Sequence, residues 1–183
     1  MKKKTIIITV LVVMAALSAA RANGLGAYGS FWQAKDADNA AFGVGAKMRL
    51  SILPIASLEG RVNYFPDFKY SEYLDVNVKN AEIAATLDLP VGIMKIYAGG
   101  GGGYYWFEGT GKDGASDPNI DNKFGIFALA GITVNIFPGF ALFGEGRYTW
   151  VDADIQSTWE HAKEQDEGKL DGPGVNLGLM LTW

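Results

Sequence analysis

The chain has 183 residues, 49% of them hydrophobic and 13% aromatic, with 24 glycines, one histidine and no cysteine. Such a composition suits one ordinary domain; it excludes disulfides, thiolate metal sites and cysteine nucleophiles, and one histidine leaves little room for an all-histidine zinc site. A net charge of −4 with a pI near 5.0 argues against a nucleic-acid partner, and a mean hydropathy of only +0.07 against a bundle of membrane helices.

The amino terminus reads as an address. Lys2, Lys3 and Lys4 precede an apolar stretch over residues 5–17, then small residues ending in Ala20-Arg21-Ala22. This is the order of a secretory signal, too short for a comfortable membrane span. Cleavage is expected after Ala22, with Ala20 as the alternative site; the competing reading is an amino-terminal membrane anchor. The expected division is therefore a signal peptide over 1–22 and one domain over 23–183. The signal carries four basic residues and no acidic one, so its removal takes the net charge from −4 to −8.

The remainder reads as one strand (about 24–32), three hairpins (42–65 around Pro54, 78–107 around Pro90, 124–150 around Pro138) and a last strand (about 173–183). Glu59-Gly60-Arg61 after the first turn recurs as Glu145-Gly146-Arg147 after the third. Proline suits the turns because it lacks the N–H that a central ladder position needs. Period-two alternation identifies the strands. From Phe42, one row reads Phe42, Val44, Ala46, Met48, Leu50, Ile52 and the other Gly43, Gly45, Lys47, Arg49, Ser51. Leu58, Val62, Tyr64 oppose Glu59, Arg61, Asn63, and Ala81, Ile83, Ala85, Leu87, Leu89 oppose Asn80, Glu82, Thr86, Asp88. The segment 124–137 is apolar on both faces and carries no orientation of its own.

The three proline turns are tight, whereas the links at about 33–40, 66–76, 108–122 and 153–172 are long, polar and mostly acidic. Eight strands with short turns on one rim and long loops on the other fit a barrel that crosses a bacterial outer membrane, both termini being periplasmic. Only helices and closed barrels pair every backbone group inside a bilayer. The expected fold is thus all-β: an eight-stranded antiparallel up-and-down barrel with its polar rows turned inward. Eight strands enclose about enough room for side chains alone. Lys47, Arg49, Glu59, Arg61, Glu82, Glu145 and Arg147 carry both signs, and a neutralising network plugging the lumen is expected, since lone buried charges cost several kcal/mol. Aromatic girdles are expected from Phe31, Trp32, Phe42, Tyr64, Tyr104, Trp106, Phe124, Tyr148 and Trp150 on the loop side and from Trp183 opposite. Ordinary core aromatics of a soluble β protein are the competing reading.

The final segment ends on an aromatic, with Asn176, Gly178, Leu181 and Trp183 spaced like the carboxy-terminal assembly signal of outer-membrane barrels. With the export signal and the hairpin layout, residues 23–183 resemble the small OmpA/OmpX-type outer-membrane β-barrel domains. The resemblance implies insertion by the outer-membrane assembly machinery and contact with membrane lipid and lipopolysaccharide.

Chemistry is sparser. Gly99 to Gly103 lies within a strand and lacks the Walker spacing, so room for bulky neighbours is its reading. Asp117-Pro118-Asn119-Ile120-Asp121 has oxygen-ligand spacing, but Asn122 replaces the turn glycine of a calcium loop and Ala128 its glutamate. The acidic residues Asp152, Asp154, Glu160, Glu164, Asp166, Glu167 and Asp171 could bridge divalent ions to lipopolysaccharide phosphates. A Ser157–His161–Glu160 relay would make the chain a lipid-A-modifying enzyme. The expected role is non-enzymatic and cofactor-free: a structural or surface protein whose loops serve envelope stability or adhesion and offer a surface to an extracellular partner. A lipid-A hydrolase, a narrow pore and a soluble lipocalin-like ligand-binding barrel are the alternatives.

Overall fold

The computed structural model describes residues 23–35, 39–71, 74–111, 122–154 and 167–183. The expected signal peptide over 1–22, the Asp117–Asp121 loop and the trio Ser157, Glu160 and His161 lie outside the described residues. Ten strands follow in order: β1 Asn23–Trp32, β2 Ala41–Leu53, β3 Ala56–Ser71, β4 Leu74–Val91, β5 Met94–Gly111, β6 Lys123–Phe137, β7 Phe140–Trp150, β8 Asp152–Asp154, β9 Glu167–Lys169 and β10 Gly172–Thr182. Eight of them close an antiparallel barrel in the order β1-β10-β7-β6-β5-β4-β3-β2, while β8 and β9 pair as a small hairpin within the last link.

Two reversals fall at the expected prolines, Pro54-Ile55 and Pro138-Gly139. In the second, Gly139 takes φ +86°, the left-handed position that follows proline in a type II turn. The middle reversal departs from expectation. Pro90 remains in β4, paired with Lys95, and the chain turns at Gly92-Ile93. Gly92, at φ +60°, supplies the backbone conformation that a two-residue hairpin favours.

A second correction concerns the link expected over 66–76. It is largely strand: β3 and β4 continue pairing through Phe68↔Val76 and Lys69↔Asp75 to Ser71↔Leu74. The register shifts between Phe65 and Phe68, across Pro66, which has no N–H to donate. The polar composition concealed a hairpin that runs on beyond the tight part of the barrel.

The wall is greasy outside and polar inside. Val44, Val62, Ile83, Leu87, Leu89, Ile126, Leu142, Leu177 and Leu179 face outward and are exposed, whereas Lys47, Arg49, Glu59, Arg61, Asn63, Glu82, Asp88, Glu145 and Asn176 are buried. A lipocalin-type barrel, with its apolar rows inside, is therefore not what this chain forms. The undecided strand β6 turns Phe127, Leu129 and Thr133 inward. Outward aromatics pair near the loop rim, with ring centroids 5.3 Å apart for Phe31 and Phe42, 5.2 Å for Tyr104 and Trp106 and 4.8 Å for Tyr148 and Trp150. Trp32 is the exception among the expected girdle residues. It follows outward-facing Phe31, so strand parity turns it inward, where it packs with Phe65, Val78, Tyr105 and Phe107. On the turn rim, Phe137 and Phe140 join Trp183 in facing outward.

Candidate functional site

The inner face of the barrel is the most elaborate polar arrangement among the described residues. It comes in layers because residues two apart on a strand share a face. On β2 and β3, this places Lys47 and Arg49 beside Arg61 and Glu59, which are their cross-strand partners in register. The repeated Glu-Gly-Arg triplets lie on β3 and β7, four strands apart in either direction round an eight-strand ring. They therefore face each other across the full width of the lumen.

Glu145 is the hub. Its carboxylate accepts from Arg61 Nη1 and Nη2 at 2.5 and 2.7 Å, from Asn176 Nδ2 at 2.8 Å, from the Tyr97 hydroxyl at 3.0 Å and from Lys47 Nζ at 3.4 Å. Arg61 also pairs with Glu59, whose other oxygen lies 3.3 Å from Arg49 Nη1. Arg49 Nη2 pairs in turn with Asp88, which also accepts from Ser57 Oγ at 2.7 Å and Thr86 Oγ1 at 3.2 Å. Lys47 lies over the Phe143 ring, 3.7 Å from its centroid.

A second group lies towards the loop rim. Arg147 donates to both oxygens of Glu82 at 2.8 and 3.0 Å, and Glu82 further accepts from the Tyr105 hydroxyl at 2.7 Å. Asn63 Nδ2 approaches Glu82 at 3.4 Å, donates to Asn80 at 2.6 Å and accepts from the Tyr28 hydroxyl through its Oδ1 at 2.6 Å. Phe127 separates the two groups, with Arg147 and Arg61 stacked against its ring at 4.4 and 5.9 Å.

The inner cations Lys47, Arg49, Arg61 and Arg147 match the carboxylates Glu59, Glu82, Asp88 and Glu145 in number. Balance matters here because a buried charge without a partner is far costlier than a buried pair. Both groups include partners outside the seven charged residues expected to form the network. Asp88 shares its row with Glu82 and Thr86, so strand parity would have added it. Tyr97, Tyr105 and Tyr28 carry no charge to mark them in the sequence, and each turns its hydroxyl onto the network.

Bulky rings fit inside because glycines face them. A Cβ on Gly45 would lie 2.4 Å from the Tyr28 ring, and one on Gly131 would lie 2.6 Å from Tyr97. Towards the loop rim the described side chains leave little room between them. The space bounded by Ser30, Trp32, Phe65, Asn80, Tyr105, Arg147 and Thr149 is about 10 Å³, and the apolar cluster around Trp32 caps it.

The four residues with assembly-signal spacing divide by parity. Asn176 is fully buried, donating to Glu145 and accepting from Ser30 Oγ at 2.6 Å. Gly178 lies where a Cβ would meet Ala27 O at 2.3 Å, while Leu181 and Trp183 face outward.

No curated protein matches the chain in sequence, but solved structures share its fold. Neisserial surface protein A superposes with a TM-score of 0.62 at 13% identity, covering 88% of this chain and 96% of that one. OprG of Pseudomonas aeruginosa gives 0.68 at 10% identity, covering 90% and 96%. Ail of Yersinia pestis gives 0.54 at 15%, covering 88% and 97%. Residues 6–182 match the family described as outer membrane protein beta-barrel domain. A match across nearly the whole chain, on a closed wall whose aliphatic rows have nothing but their surroundings to pack against, leaves one assignment: the chain belongs to the outer membrane protein beta-barrel domain family and is a β-barrel of the bacterial outer membrane, in contact with membrane lipid.

Proposed function

We propose that this barrel is a non-enzymatic, non-conducting protein of the envelope that anchors its loops at the cell surface, in the service of envelope stability or adhesion. The observation that carries this reading is the lumen crossed by ion pairs from β3 to β7 and closed towards the loop rim by the Trp32 cluster. Residues engaged with one another in this way hold the wall rigid. Movement of an ion through them would require several buried pairs to separate at once. Planar-bilayer recording from the refolded protein tests it: the expected record is a silent bilayer, and large stable steps would replace this reading with the pore.

In barrels of this kind the short turns are periplasmic and the longer connections extracellular. On this reading the links after β1, β3, β5 and β7 lie outside the cell. Asp152, Asp154, Glu160, Glu164, Asp166, Glu167 and Asp171 make the last link strongly acidic. Magnesium or calcium held there would bridge the protein to lipopolysaccharide phosphates, and calorimetry with these ions would register no heat if the bridge were absent. Ail has been solved in complex with the heparin analogue sucrose octasulfate. For the acidic chain described here, a cationic bridge is the better-matched surface chemistry. Unchanged lipid A in the mass spectrum of an expressing strain is expected; modification abolished by His161→Ala would instead favour the hydrolase. Residues 1–22 act in this scheme as the export signal, and Asn176, Gly178, Leu181 and Trp183 as the segment read by the assembly machinery.

A further inference from the structure

The end of the barrel opposite the Trp32 cap is built differently. A cavity of about 300 Å³ lies at the turn-side mouth, lined by Gly24, Arg49, Lys95, Thr133, Asn135 and Thr182, with Met180 and Trp183 completing it. Its lining side chains include two cations and no carboxylate. The nearest acid, Asp88, lies behind Arg49 and already accepts from Arg49, Thr86 and Ser57. Lys95 Nζ reaches that carboxylate only at 3.9 Å and is partly exposed to the mouth.

Two polar groups at this cavity have no hydrogen-bond partner among the described residues. Arg49 is held through its terminal nitrogens by Glu59 and Asp88, yet its Nε is buried and unpaired; the Thr133 hydroxyl is likewise buried and unpaired. The two residues are only 4% and 6% exposed. Glu82, Asp88 and Glu145 are by contrast each satisfied by several neighbours, and an unsatisfied buried donor costs about 1–3 kcal/mol. A space large enough for a small solute, with Lys95 partly open to it, Arg49 in its wall and no carboxylate side chain on its lining, is complementary to an oxygen-rich anion.

We propose that the turn-side cavity binds a compact oxyanion, a phosphate or carboxylate group, at Lys95 Nζ, with Asn135 as a neutral hydrogen-bonding partner and Arg49 and Thr133 in the wall behind it. The site is independent of the loop-borne role, because it sits at the other end of the barrel. A phosphate could arrive free in solution or as the headgroup of a membrane phospholipid.

The test uses the full barrel refolded in a maltoside detergent, which carries no phosphate. Amide resonances of Lys95, Thr133, Asn135 and Thr182 are followed while sodium phosphate or sodium acetate replaces sodium chloride at constant ionic strength. A parallel titration uses a short-chain phosphatidylglycerol. Saturating shifts confined to these residues are expected. Lys95→Met should weaken the binding about tenfold, the size of one lost charge-assisted contact. Asn135→Leu, at the exposed rim, should weaken it less, and Lys79→Met, at the other end of the barrel, should leave it unchanged. Saturation by free phosphate or acetate assigns the site to a soluble oxyanion, and saturation by the lipid alone assigns it to a headgroup. Shifts that grow linearly, match those in chloride or persist in Lys95→Met would overturn the proposal; gel migration before boiling verifies that each variant is folded.

Discussion

Arg147 and Glu82 form a bidentate pair whose strength depends on both members being present. Removing either one leaves a buried charge whose ion-pair partner among the described residues is gone. Glu82→Met or Arg147→Met alone should therefore destabilise the barrel by about 3–5 kcal/mol, while the double substitution should cost markedly less than the sum of the two. Urea unfolding of the refolded protein in lipid vesicles measures the cycle; additive costs would show that the pair does not act as a unit. Glycine gives a second contrast at this scale. A Cβ on Gly101 would stand 2.0 Å from Ile83 O, which is backbone and cannot move aside, whereas one on Gly146 would meet nothing within 4 Å. Gly101→Ala is expected to cost about 1–3 kcal/mol, and Gly146→Ala to stay within about 0.5 kcal/mol of the parent. The same unfolding curves compare them.

Strands divide the molecule into two solvents. Leu177 faces outward from the middle of β10 and pairs with Gly144 and Gly29 on its neighbours. Leu177→Arg should cost about 2–4 kcal/mol if Leu177 sits near the bilayer midplane, and much less at the rim residue Phe42; refolding yield and unfolding free energy in vesicles read the difference. The alternation that makes such a forecast possible was legible in β2, β3, β4 and β10, where polar and aliphatic rows are separate. It was not legible in β6, whose two faces are equally apolar, and there only neighbour register decides that Phe127 turns inward. Parity also corrects the girdle, because Phe31 and Trp32 are adjacent and one of them must point in. The continuation of β3 and β4 past Pro66 escaped the sequence because polar residues suit an exposed hairpin as well as a loop. Of the inner face, the charged residues were evident from alternation, but their pairing was not. Arg61 meets Glu145 only because closure sets β3 opposite β7, and no local pattern carries that information.

At the scale of the whole molecule, the buried pairs are shielded from mobile ions in a way that surface pairs are not. Stability should therefore change little between low and moderate salt, and a steep fall would indicate that water and ions enter the lumen freely. A rigid filled barrel should also remain folded in cold detergent and migrate differently in a gel before and after boiling. The Arg61→Met variant should lose that difference at a lower temperature, since it releases both Glu59 and Glu145.

Closure depends on the first and last strands of the barrel meeting, Gly24 with Thr182 through to Trp32 with Gly174. Such distant pairing is slow to form, because the whole intervening chain must be gathered before the seam can zip. The ribosome delivers β1 long before β10 exists, so every emerging copy passes through a stage with sticky unpaired edges and greasy rows in water. Escort across the periplasm is thus expected from the strand order itself, and a chain lacking its last dozen residues should be degraded rather than displayed.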